Sequence, residues 1–194
     1  IHWIWVSKFE AGYAGGNNTA TVKDSSVSYS EVVSNYYGTN KEKVKIKYPT
    51  FQGISYAMVY TNINDSFRIS RKLTENGNIY GLSSSSTDSH MMKNSEWGAV
   101  AYLAQSKYVL NGTNIYINNV NLNNTTKSVY AVTGCAGATE DASVVATTII
   151  ELNNRTASEV YVWTQKSGTK ASTTGTIYGI YDMSGGAWEY VMGV

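Results

Sequence analysis

The chain has 194 residues, a length that one domain with one core accommodates, and only 15% of them are charged against 42% hydrophobic. Its formal net charge of +1 gives no electrostatic footprint for nucleic acid, whose binding needs clustered Lys and Arg to neutralise phosphates, and no nucleic-acid partner is expected. The single cysteine, Cys135, rules out an internal disulfide framework or an all-thiolate metal site, and no run approaches the roughly 18 apolar residues of a membrane span.

Residues 3–10, rich in aromatic and β-branched types and followed by Gly12, predict a first strand inside a sheet. Residues 12–40 are rich in Gly, Asn, Ser and Thr and predict a long loop. The alternating stretch 41–48 places four lysines on one side of a strand, where they discourage edge-to-edge pairing; the rival reading is an anion-binding face. After Pro49, Tyr56, Val59, Tyr60 and Ile63 recur at helical spacing with Ser55 placed to cap, which predicts a first amphipathic helix. A second is signalled by Asn94 or Ser95 as cap and by Glu96 near the positive end of the dipole. Its apolar stripe is Trp97, Val100, Ala101 and Ala104, and it is expected to end near 106–108. From 109 to 175 the sequence predicts mostly irregular backbone with short strands at 114–117, 128–133, 144–150 and 160–164. Asn-X-Ser/Thr sequons at Asn17, Asn64, Asn111, Asn123, Asn124 and Asn154 arise by chance in so Asn-rich a chain. Sixteen tyrosines among abundant Asn, Ser and Thr suit recognition-bearing loops outside the cell. The chain opens at Ile1 with no starting Met and ends directly after a dense apolar motif, so it reads as an excised piece, truncated at the C-terminus.

The run Thr174-Gly175-Thr176-Ile177-Tyr178-Gly179-Ile180-Tyr181-Asp182-Met183-Ser184-Gly185-Gly186-Ala187-Trp188-Glu189-Tyr190-Val191 resembles the signature of the formylglycine-generating, sulfatase-modifying-factor family, with Gly186 departing from the usual Asn. Asn94-Ser95-Glu96-Trp97-Gly98-Ala99-Val100-Ala101 resembles a helix of that family, and Val6-Ser7-Lys8-Phe9-Glu10 its opening strand. The resemblance implies one α+β domain over 1–194 with a C-type-lectin-like fold: two main helices, short strands and much irregular structure. The motifs are also similar to those of bacterial surface proteins carrying this domain, some joined to pilin-like or wall-anchoring segments. A bacterial extracellular or cell-surface location is the expectation.

Family oxidases use paired cysteines placed after the signature, and Cys135 stands alone with no basic neighbour to lower its pKa. Iron-dependent relatives use three histidines, whereas this chain has His2 and His90; Asp88 and His90 without a nucleophile make no triad. The family's calcium site implies Asp182 and Glu189 as side-chain ligands, with carbonyls of Gly185 and Ala187, a set of hard oxygens that suits structural Ca²⁺. The rival is that both carboxylates accept backbone N–H bonds. Trp97 and Trp188 are expected in the core, while Trp163 could be core or a ligand-stacking platform. The expectation is a noncatalytic recognition domain binding a protein or carbohydrate through Tyr/Asn/Ser-rich loops. The rivals are a fragment of a formylglycine-generating-type oxidase with cysteines beyond Val194, and a display module of a pilus or wall protein.

Overall fold

A computed structural model describes residues 4–12, 49–55, 57–58, 63–109, 116–118, 132–137, 160–185 and 189–193. The expected loop 13–40, the lysine strand 41–48 and the predicted strand 144–150 lie outside these residues, as do Ala187 and Trp188.

Among the described residues two α-helices are present: α1, Ile63–Lys72, and α2, Asn94–Leu103. α2 forms where its sequence predicts it. Val100 and Ala104 are buried, and the Glu96 carboxylate reaches back to accept the Lys93 N–H at 2.9 Å, which satisfies a donor that the first turn leaves open. Beyond Leu103 the chain continues in turns, with Ala104 and Gln105 donating to the carbonyls of Ala101 and Tyr102. α1 is described from Ile63; Tyr56, Val59 and Tyr60 of the expected helical pattern lie outside the described residues, and its expected cap, Ser55, is not helical. The peptide of Ser55 is tied instead to Thr133, its N–H donating to Thr133 Oγ1 at 3.0 Å and its carbonyl accepting the Thr133 N–H at 2.9 Å. Ala57 likewise bridges to Gly12. Tertiary pairing has overridden a local helical pattern. Asp65 in the first turn of α1 and Arg71 and Lys72 in its last complement the helix dipole.

Two three-residue strands, β1 (Cys135–Gly137) and β2 (Val160–Val162), pair antiparallel with Ala136 opposite Tyr161. A 3₁₀-helix, η1 (Lys166–Ala171), packs against both strands. Around this pair lies an aromatic core of Phe9, Tyr161 and Tyr181 with Ala136 and Ala171, flanked by Tyr116 and Trp163. The Phe9 ring meets Trp163 edge-on at 5.2 Å and Tyr181 at 5.2 Å, and Tyr116 meets Tyr161 edge-on at 5.0 Å, all favourable ring geometries.

The opening segment is not the interior strand that its composition suggests. Residues 4–7 have no ladder partner among the described residues, and Ile4 and Trp5 are exposed, Trp5 by 94%. The segment is anchored only where it reaches the core: Phe9 is buried, and the Lys8 carbonyl accepts the Tyr181 N–H at 2.8 Å. At the other end, Met192 joins the start of α2 in a parallel bridge, with Asn94 N–H donating to its carbonyl and its own N–H donating to Met92. Among the described residues no helix is long and apolar enough to cross a membrane.

Candidate functional site

The stretch singled out by sequence forms a junction. Asp182 is buried and lies in left-handed backbone, φ 67°, a conformation Asp tolerates better than most residues. Its Oδ1 accepts the Gly134 N–H at 2.8 Å and an Asn118 amide hydrogen at 3.0 Å. Its Oδ2 accepts the same Gly134 N–H at 2.9 Å and the Glu10 N–H at 3.3 Å. Asn118 gives its other amide hydrogen to the Val132 carbonyl at 3.0 Å. One carboxylate thus ties together four distant segments. Burial pushes its pKa up to about 7, against the pull of the N–H donors from Gly134, Glu10 and Asn118; nearby Glu189 adds to the rise.

Gly185 completes the junction by pairing with Asn118, whose N–H donates to the Ser184 carbonyl at 2.8 Å. Its φ of 79° favours glycine, and a Cβ there would lie 2.4 Å from Ile117 Cγ2 and 2.5 Å from the Asn118 carbonyl oxygen. Glu189 connects the junction to α2, because its carboxylate accepts the Trp97 indole N–H at 2.6 Å. Although Glu189 as a residue is exposed, its carboxyl end is crowded by neighbouring atoms. That burial pushes its pKa up while the Trp97 bond pulls the other way. Trp97 itself is half-buried.

Of the four expected calcium ligands, the described residues include Asp182, Gly185 and Glu189. Two crowded carboxylates are what a cation would relieve, and their oxygens suit Ca²⁺ in kind. In this arrangement, however, three N–H donors converge on the two oxygens of Asp182, with the Gly134 N–H shared between them, and a bound cation would have to displace or share those bonds. Its present geometry does not fit calcium coordination. The hydrogen-bonded alternative describes it better, with donors drawn from other segments instead of the same loop.

The remaining titratable candidates are fixed in structural roles. Cys135 is buried with its thiol directed to the Thr133 carbonyl at 3.7 Å, and burial, reinforced by the Asp182 charge, pushes its pKa far up, which keeps it protonated and unreactive. His90 sits between the Asp88 carbonyl, 2.9 Å from Nδ1, and the Glu96 carboxylate, 3.2 Å from Nε2. Arg71 at the end of α1 reaches Asp88 at 2.5 Å, and Ser89 donates its hydroxyl to Ser70. The cluster fastens α1 to the start of α2. Glu96 is held below the usual carboxylate range, by the Lys93 N–H foremost and then by His90.

A second site was only half visible in sequence. Ser172 and Tyr181 bridge antiparallel, Thr173 N–H donates to the Ile180 carbonyl at 2.8 Å, and Thr174 Oγ1 accepts the Ile180 N–H at 3.0 Å. This closes a hairpin-like loop with Ile177 and Tyr178 at its tip. The tip faces the turn from β2 into η1, where Gln165 donates to the Val162 carbonyl at 2.9 Å and Gly168 to the Gln165 carbonyl at 2.8 Å. Between them lies a shallow cleft of about 560 Å³. One wall carries Trp163, Gln165, Lys166 and Thr169; the other carries Thr176, Ile177 and Tyr178. Tyr178 is 87% exposed, whereas Trp163 is half-buried, its ring laid over Gly53 and its indole N–H enclosed without an acceptor among the described residues. The Lys8 ammonium lies 4.8 Å above the Trp163 ring and donates to the Ile177 carbonyl at 2.7 Å, bridging the two walls. Trp163 therefore serves as core on one side and as cleft wall on the other. Gln165, Thr169 and Thr176 carry no motif that marks them in sequence; the open reading of Trp163 as core or stacking platform is the one pointer to this place.

No family model, no curated protein and no solved structure matches this chain.

Proposed function

We propose that this chain is a noncatalytic recognition domain of a bacterial cell surface or extracellular protein, and that it binds its ligand in the cleft between the β2–η1 turn and the 173–180 loop. The observation that carries the reading is Tyr178. A large aromatic side chain left 87% exposed at the tip of a hydrogen-bonded loop contributes little to folding and much to a contact surface. Beside it stand a half-buried indole and several hydroxyl and amide groups, the mixture of apolar wall and orienting polar groups typical of small-ligand sites. The buried Cys135 and the structural engagement of His90 support a binding role over a catalytic one.

The test is to screen the chain against immobilised saccharides and peptides and repeat any binding with Tyr178→Ala. Loss of about tenfold or more in affinity, with an unchanged melting temperature, is the expected result. A ligand held equally well by the variant would place recognition elsewhere and overturn the assignment.

A further inference from the structure

Resting on the recognition role just proposed, we infer that the cleft takes an acidic saccharide, one bearing a carboxylate or sulfate group. Three features of the cleft lead to this class. The first is its charge. Lys166 lines the cleft, no Asp or Glu does, and Lys8 adds a second ammonium between the two walls. In a chain whose formal net charge is only +1, this is a local accumulation and not the mark of a generally basic protein. The second is donor capacity. An ammonium has three donors, and Lys8 gives one to the Ile177 carbonyl, while the exposed Lys166 lines the cleft and has no carboxylate within ion-pairing distance among the described residues. Both can turn charge-assisted donors to an anion. The third is the wall itself. Tyr178 offers a flat apolar face to the C–H face of a sugar ring, and Thr169 and Thr176 on the cleft walls bring hydroxyl groups that can donate to and accept from ring hydroxyls. An acidic peptide would satisfy the lysines, but it gives no reason for an upright, exposed aromatic flanked by neutral hydroxyl and amide groups.

Isothermal titration of the full chain at low salt, with a hexamer of uronic acid, a neutral glucose hexamer and a hexaglutamate peptide, separates the readings. The oligouronate is expected to bind about tenfold more tightly than the neutral sugar, one charge-assisted contact being worth about that factor. Lys166→Gln should reduce it towards the neutral sugar with no change in melting temperature, and Tyr178→Ala should weaken both sugars. Equal binding of the two sugars would overturn the acidic specificity and leave the recognition role standing. Hexaglutamate binding as tightly as oligouronate and insensitive to Tyr178→Ala would overturn the saccharide class. If neither sugar binds while the screen finds another ligand sensitive to Tyr178, the inference falls alone; if nothing binds, the recognition role falls with it.

Discussion

Asp182 and Glu96 are the same kind of group in opposite circumstances. Asp182 is enclosed among Glu10, Asn118 and Gly134, and burial pushes its pKa up to about 7 although every neighbour within hydrogen-bond distance is a donor. Glu96 sits at the protein surface, and the Lys93 N–H and His90 hold it below the ordinary range. The first carboxylate joins segments far apart in sequence; the second caps a helix and fastens it to its predecessor. Similar bonding therefore has opposite linkage to pH, because the cost of removing the charge from water differs.

The largest effect that would break this contrast is expected from Asp182→Ala. It leaves the Gly134 and Glu10 N–H groups and the Asn118 amide without their acceptor, and unmet buried donors cost about 1 to 3 kcal/mol each, so a loss of about 3 to 5 kcal/mol is expected in urea denaturation. A loss under about 1 kcal/mol would mean that the junction does not organise the fold. Gly185→Ala comes next, at about 2 to 4 kcal/mol, because it combines an unfavourable φ with overlap on Ile117 and Asn118. Gly77→Ala, at φ 75° but in open space, isolates the backbone part and should cost about 1 kcal/mol.

Melting temperature followed against pH sharpens the comparison further. A raised acid such as Asp182 contributes stability that is present below its ordinary value of 3.8 and is lost as pH rises towards about 7, so Asp182→Asn should flatten the profile across that window. A lowered acid such as Glu96 contributes stability that is present above its ordinary 4.5 and is lost as pH falls below it. Glu96→Gln should therefore reduce the acid-side slope and leave the neutral side unchanged. Equal profiles for the two variants would erase the distinction. The smallest effect concerns calcium. With the Asp182 oxygens turned to N–H donors, millimolar Ca²⁺ or chelator should move the melting temperature by less than about 1 °C. A rise of about 5 °C that Glu189→Gln abolishes would instead establish the ligand set which the sequence resemblance implies.

What could be read from the sequence depended on how local the cause was. α2 was legible because cap, charge and apolar stripe all lie within its own turns. The strand at 160–162 was legible from Val-Tyr-Val, whereas β1 was not, since Cys-Ala-Gly has no β preference and pairs only because Val162 and Tyr161 lie opposite. The expected cap of the first helix was misread, as Ser55 and Ala57 are claimed by Thr133 and Gly12 from elsewhere in the chain, whereas Ile63 of the same pattern is helical. The opening segment was misread for the reverse reason: its aromatic composition suggested burial, yet it has no ladder to join among the described residues. Asp182 and Glu189 stood out through the resemblance, but their partners Asn118, Gly134 and Trp97 are set by tertiary contact, and one Asn in an Asn-rich chain carries no mark.

The bond from the Glu10 N–H to Asp182 spans 172 positions in the sequence, and the neighbouring Lys8–Tyr181 pair is equally remote. Closing so large a loop must precede any stabilisation gained from it, which places this protein among slow folders. On the ribosome, the early residues that supply Phe9 to the aromatic core wait for Tyr181 and Asp182 to emerge before that core can be sealed. Until then Phe9 stays uncovered beside the exposed Ile4 and Trp5, and this segment's demand on chaperones lasts until Tyr181 and Asp182 have emerged and docked.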